Sequence, residues 1–131
     1  MHFQLAHGAL AFDDLPLECD GMTKVMSAVL ERDSIEHRCM VGSLSVEGAG
    51  TIPCHHWILM PDGHIIDLRA RMWLGNDERV PHGFFKPKRG VFYNAVGNSP
   101  QRLMPLGFFV LANMDLASAP ALLDRVSDTP R

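Results

Sequence analysis

Residues 54–68 read Cys54-His55-His56-Trp57-Ile58-Leu59-Met60-Pro61-Asp62-Gly63-His64-Ile65-Ile66-Asp67-Leu68. Two apolar runs, His55–Met60 and His64–Leu68, flank Pro61-Asp62-Gly63, which is the pattern of a β-hairpin. The length of the connection decides which side chains share a face, because strand residues alternate between faces. A two-residue Asp62-Gly63 turn would bring His56 onto the face of Asp67. A three-residue loop, with Pro61 and Asp62 in a type I turn and Gly63 left-handed, sets Trp57 opposite Asp67 and His55 diagonal to it. Proline suits the second position of a type I turn and glycine the left-handed site. The second register is therefore expected, and with it His55 beside Asp67.

Upstream of this hairpin, Gly48, Ala49 and Gly50 make a loop, and Ile35–Val46 reads as a strand with Met40, Leu44 and Val46 on one face and Val41 on the other. Before that strand, Met22, Val25, Met26, Val29 and Leu30 recur at helical spacing, and Asp33 and Ser34 close the segment. Cys19 stands at the start of this helix. Downstream, residues 75–105 are rich in Gly, Pro and Asn, with a short strand at Val91–Tyr93. Leu106–Leu111 reads as a further strand. Ser118 is placed to cap a last helix, with Pro120 in its first turn and Leu122, Leu123 and Val126 facing inward. A helix followed by hairpins implies an α+β fold, an N-terminal helix carrying the cysteine packed on an antiparallel sheet. Residues 1–131 form one domain in this reading.

Composition narrows the function. The chain has 131 residues, 47% of them apolar and 21% charged, which is a globular composition of single-domain length. Twelve Lys and Arg against fifteen Asp and Glu give a net charge of −3, so no support arises for a nucleic-acid or membrane-surface partner. Cys19, Cys39 and Cys54 contain no C-x-x-C pair, which argues against a zinc ribbon or a redox dithiol and suits a reducing compartment. No signal peptide is read at the N-terminus, and the apolar run Leu106–Ala112 is too short to span a bilayer. The expected location is the cytoplasm.

The start of a helix offers a thiol unpaired N–H groups and the positive end of the dipole, which favour the thiolate. An adjacent histidine can hold that thiolate as an ion pair, and a carboxylate can fix the imidazole. Cys19 meets the first condition, and the hairpin supplies candidates for the other two.

The order of these residues resembles a family. Cys19 opens a helix, Arg38-Cys39-Met40-Val41-Gly42 follows on a strand, His55-His56-Trp57 on the next and Asp67 on the one after. This is similar to the transglutaminase-like branch of the papain-like cysteine hydrolases, with its helix-borne cysteine, H-x-W motif and aspartate on the adjoining strand. The resemblance covers roughly residues 17–73. It implies Cys19 as nucleophile, His55 as its base and Asp67 as the group that orients the ring. It also implies a peptide, protein or small amide as substrate, a thioester intermediate, and no cofactor.

Plainer readings compete at each position. Cys19 could be a core cysteine, Cys54 a rival nucleophile, and Cys39 a packing residue. His55, His56, His64 and Cys54 contain the ligand types of a zinc site, although alternating faces prevent all four from converging. His2, His7, His37 and His82 have no partner at motif spacing. Trp57 is expected as a wall over the imidazole and, with His56, as a neighbour of the substrate. Arg69 and Arg71 read as outward charges on an exposed strand or as contacts for an acidic substrate, and Trp73, Phe84, Phe85 and Phe92 as core or groove lining. The expected activity is that of a cysteine-dependent hydrolase or acyltransferase acting on an amide or ester. The alternative is a binding module that keeps the fold without turnover, and the reactivity of the Cys19 thiol separates the two.

Overall fold

The computed structural model describes residues 10, 12–99 and 105–120, apart from the side chains at 105 and 106. Helix α1 (Cys19–Arg32) leads into β1 (Arg38–Val46), β2 (Gly50–Leu59) and β3 (Ile65–Asp67). A short helix α2 (Ala70–Leu74), β4 (Gly83–Phe85), β5 (Val91–Asn98), α3 (Pro105–Ala112) and a 3-10 turn (Leu116–Ser118) follow. The strands form one sheet in the order β4-β3-β2-β1-β5, antiparallel throughout. The architecture is thus a mixed α+β one, with the Cys19 helix against an antiparallel sheet.

The stripe Met22, Val25, Met26, Val29 and Leu30 is buried along its whole length and belongs to one core with Ile58 and Ile66 of the sheet and Leu68 just past β3. Each such side chain contributes about 1.5–3 kcal/mol by leaving water. Asp33 ends α1 by donating its N–H to the carbonyls of Val29 and Glu31. At the other end Glu18 is extended and provides no side-chain cap, while Asp20 Oδ1 accepts from the Gly21 N–H at 2.8 Å within the first turn. The opposite face of the sheet buries a second cluster of Leu44, Val46, Ile52, Ala70 and Val80.

The β2–β3 hairpin adopts the three-residue connection. Ile58 pairs with Ile66 and Leu59 with Ile65, Gly63 N–H reaches the Met60 carbonyl at 3.0 Å, and Gly63 is left-handed at φ 93°. This register turns Ile58 and Ile66 toward α1, and Trp57 and Asp67 away from it. Between β1 and β2 the pairing shifts: Gly42 faces His55 and Leu44 faces Ile52, so Pro53 and Cys54 together stand opposite Ser43. Such a bulge re-aims the strand, and it lies immediately before His55. A second bulge leaves Val96 as the extra residue of β5 against β1. Here Gly42 is required by space, since a Cβ would lie 2.0 Å from the Asn94 carbonyl oxygen.

Several expectations are corrected. Leu106–Leu111 is helical, within α3. A short run that is apolar throughout has no period to separate helix from strand, and Phe108 and Ala112, one turn apart, both bury in the α1 core. The first strand begins at Arg38 and not Ile35, because Ser34 is left-handed and His37 turns back to donate its Nδ1–H to the Ile35 carbonyl. β5 runs on to Asn98, β4 occupies a stretch that reads as loop-rich, and Arg71, read on an exposed strand, lies in the helix α2. Ser118 ends a 3-10 turn, which Asp115 caps by accepting from the Ala117 N–H. The helix expected beyond it, with Leu122, Leu123 and Val126, lies outside the described residues, as do His2 and His7. Trp73 and Phe92 are not core residues: they are 58% and 54% exposed. Among the described residues no helix is long and apolar enough to cross a membrane.

Candidate functional site

His55 and Asp67 meet across the β2–β3 pair, near the end of α1 that Cys19 opens, and both are buried. The imidazole Nε2 lies 2.7 Å from Asp67 Oδ2, and neither side chain exposes more than 1% of its surface. The bulge at Pro53-Cys54 and the three-residue loop together fix this diagonal pairing, as the hairpin reading anticipates. The other ring nitrogen, Nδ1, is buried with no hydrogen-bond partner among the described residues. An unpaired buried polar atom is costly, and here it is the nitrogen left to exchange a proton.

Cys19, opening α1, stands close enough to the imidazole for its thiol to favour the ring's charged form. Burial alone would lower the pKa of His55. The hydrogen bond that the ring donates to Asp67, together with the Cys19 thiol, outweighs burial and pushes it up to about 9. A ring held by a carboxylate, with a thiol in its neighbourhood, has the residue types that a thiolate–imidazolium pair requires.

Asp67 accepts four hydrogen bonds. Oδ1 takes the backbone N–H groups of Arg69 at 3.0 Å and Ala70 at 3.1 Å, and Oδ2 takes the Tyr93 hydroxyl at 2.7 Å besides His55. This carboxylate is held in place from three sides, with its orientation set by the turn into α2. The Tyr93 hydroxyl is itself raised well above its usual pKa, by burial and then by the adjacent carboxylate, so it stays a donor. Trp57 is 2% exposed and closes the inner wall. Its ring stacks on His55 with centroids 6.2 Å apart and meets Tyr93 edge-on at 4.9 Å.

Arg69 ties the two halves of the site together. Its side chain is buried, and all five N–H donors are used: on the carbonyls of Leu17, Leu15, Asp13 and Leu68 and on Asp13 Oδ1. The reading of Arg69 as an outward charge on an exposed strand is therefore wrong. β3 ends at Asp67, so Arg69 lies past the strand and points under the segment that leads into Cys19. Its backbone holds Asp67 while its guanidinium holds the approach to Cys19. Arg71 likewise turns onto the chain, donating to the Val80 carbonyl at 2.9 Å.

His56 faces the opposite way from His55, toward α1, and with Cys19, Thr23 and Met26 it borders a narrow crevice. Burial lowers its pKa. Cys54 is exposed on the bulge. Cys39 is half-buried against the α1 core, and burial raises its pKa. His64 stacks on Phe84 at 4.5 Å and pairs with Asp62. His37 is bonded to Ser27 at 2.6 Å and His82 to Asp13 at 3.1 Å. Both have structural partners that lie far away in sequence or outside any motif spacing. Among the described residues no three His, Cys, Asp or Glu side chains gather as a metal site. Tyr93 and the anchoring role of Arg69 escaped the sequence reading. The only signal for the second was an arginine directly following the Asp67-Leu68 strand end.

Comparison of the chain with protein-family models, with curated proteins and with solved structures gives no match. The functional reading rests on the chain's own residues.

Proposed function

We propose that the protein is a cysteine-dependent hydrolase or acyltransferase of the papain-like class, nearest in plan to its transglutaminase-like branch. The observation that carries the reading is the buried 2.7 Å hydrogen bond between His55 Nε2 and Asp67 Oδ2, with Nδ1 unpaired and Cys19 beside the ring. Cys19, as thiolate, attacks the carbonyl carbon of an amide or ester and forms the C–S bond. The tetrahedral oxyanion collapses, the C–N or C–O bond breaks, and the His55 imidazolium gives its proton to the leaving group. His55 then takes a proton from water or an acceptor amine, which attacks the thioester and frees the thiol. Asp67 holds the ring and balances its charge throughout. Asp20 Oδ1 takes the Gly21 N–H and the Glu18 carbonyl takes that of Met22, so the N–H groups of Cys19 and Asp20 are the first-turn donors we assign to the oxyanion.

Incubation with p-nitrophenyl acetate followed by mass spectrometry of the peptides tests this. The expected product is an acetyl thioester on Cys19 that hydroxylamine removes and that His55→Ala prevents from forming. An unmodified Cys19, or acetylation confined to exposed Cys54, would overturn the reading in favour of a binding module that lacks turnover.

A further inference from the structure

Three crevices run in series from the site to the far edge of the molecule. The first, beside Cys19, is bordered by Leu68 and Arg69. The same two residues border the second, which passes Leu17 and Glu18 and ends at Arg71 and His82. Arg71 and His82 then border the third, a groove of about 620 Å³ between the segment 78–82 and the turn that joins β4 to β5. Each crevice shares two bordering residues with the next, so they adjoin as a furrow that is wide at the third groove and narrows to about 10 Å³ beside Cys19.

The charge along it is uneven. Five of the chain's twelve Lys and Arg residues line the third groove: Arg71, Arg79, Lys86, Lys88 and Arg89. Only Glu47 and Glu78 oppose them there, in a chain whose net charge is −3. Arg79 is answered by Asp77 at 2.6 Å, and Arg71 is engaged with the Val80 carbonyl and Asn76. Lys86, Lys88 and Arg89 make no ion pair among the described residues, and Pro87 stiffens the turn that presents them. Unpaired cations gathered in a concave surface focus the field and draw anions.

We propose that this furrow receives an acidic peptide chain, with its carboxylates at the Lys86-Lys88-Arg89 end and its acyl group at Cys19. The inference names the substrate class of the site proposed above, and it rests on that reading for its chemistry alone. A peptide fits better than a nucleic acid. Glu18, Glu47 and Glu78 along the furrow oppose an anion carried at every step of a backbone, whereas a peptide places carboxylates only at chosen positions.

The test uses the full chain carrying Cys19→Ala, so that binding is read without turnover, and a fluorescein-labelled hexaglutamate peptide followed by anisotropy. Saturable binding that weakens with salt is expected, with a loss of tenfold or more in the Lys86→Glu/Lys88→Glu/Arg89→Glu variant at unchanged circular dichroism. Hexalysine should not bind. Equal binding by the triple variant overturns the proposal. So does tighter binding of a single-stranded RNA oligomer than of the peptide. If hexaglutamate binds as expected while Cys19 resists acylation by p-nitrophenyl acetate, the furrow stands and the catalytic reading falls. Acylation of Cys19 with no peptide binding removes the furrow alone.

Discussion

Tyr93 on β5 donates its hydroxyl to Asp67 on β3 at 2.7 Å, although β1 and β2 lie between their strands in the sheet. Only a sheet curled toward its concave face brings them that close, and the 6.1 Å approach of Phe85 on β4 to Tyr93 has the same cause. The bulges at Pro53-Cys54 and Val96 supply the curl. Removing the hydroxyl therefore tests the carboxylate and the curvature together. Tyr93→Phe is expected to destabilise the protein by about 1.5–3 kcal/mol, the usual value for a bond to a charged group. With one donor fewer, Asp67 becomes a better acceptor for His55, so the pKa of the ring should rise. Urea denaturation and NMR titration of His55 check both parts, and a fall in that pKa would contradict the second.

Iodoacetamide near neutral pH should label Cys19 ahead of Cys39 and Cys54. Cys54 is the more exposed thiol and Cys39 is held protonated by burial, so preference for Cys19 has to come from the imidazole. His55→Ala should abolish the preference and His56→Ala should preserve most of it. Peptide mapping after limited labelling reads the outcome, and reversal of the two variants would transfer the role to His56.

His55 gives the folded state a definite pH signature. Its folded pKa of about 9 lies above the unfolded value of 6.5, so the protonated ring stabilises the fold. That contribution is fully present below about pH 6.5 and is lost as pH rises through about 9. The difference amounts to on the order of 3 kcal/mol. The stability gap between the wild type and His55→Gln should thus be wide at pH 6 and narrow at pH 10, by denaturant titration at each pH. A gap that widens with pH would mean the ring is neutral in the fold.

Asp67→Asn should act on both fold and reaction. Asparagine can present its NH₂ to the ring and favour the wrong tautomer, and the four donors now on the carboxylate cannot all be satisfied. Turnover of a thioester-forming substrate is expected to fall about 10- to 1,000-fold, less than in a serine triad if the proposed nucleophile is already activated before substrate arrives. Full activity per folded molecule would take Asp67 out of the reaction.

Arg69→Lys separates anchoring from charge. Lysine keeps the cation but has three donors where five are used, so at least two of the five acceptors lose their partner on this side chain. Cys19 labelling per folded molecule should drop severalfold, while the NMR titration of His55 still reports its Asp67 partner. An unchanged labelling rate alongside a lower melting temperature would make Arg69 structural only.

The hairpin register was legible because Pro61-Asp62-Gly63 is local chemistry: a ring that fixes φ and a residue free to be left-handed. The α1 stripe was legible from its period for the same reason. Tyr93 was not, since nothing in Val91-Phe92-Tyr93 marks a side chain that crosses two strands. Arg69 was misread because alternation beyond Asp67 assumed that the strand continued. The strand stops when Asp67 turns its own carboxylate onto the N–H groups of residues 69 and 70. Net composition also concealed the cationic groove, because a count of charges carries no positions, and folding gathers residues 71, 79 and 86–89 onto one surface.

The Arg69 anchor also sets an order of events in synthesis. Its bonds to Leu17, Leu15 and Asp13 span 52 to 56 residues. The chain emerges N-terminus first, so the thiol of Cys19 leaves the ribosome well before the arginine that fixes its approach and before the histidine that would charge it. Until β3 has formed and the segment before α1 is strapped beneath it, Cys19 is an ordinary cysteine. On the proposed function, the nascent polypeptide carries its nucleophile unarmed until the histidine and the arginine have followed it out and docked.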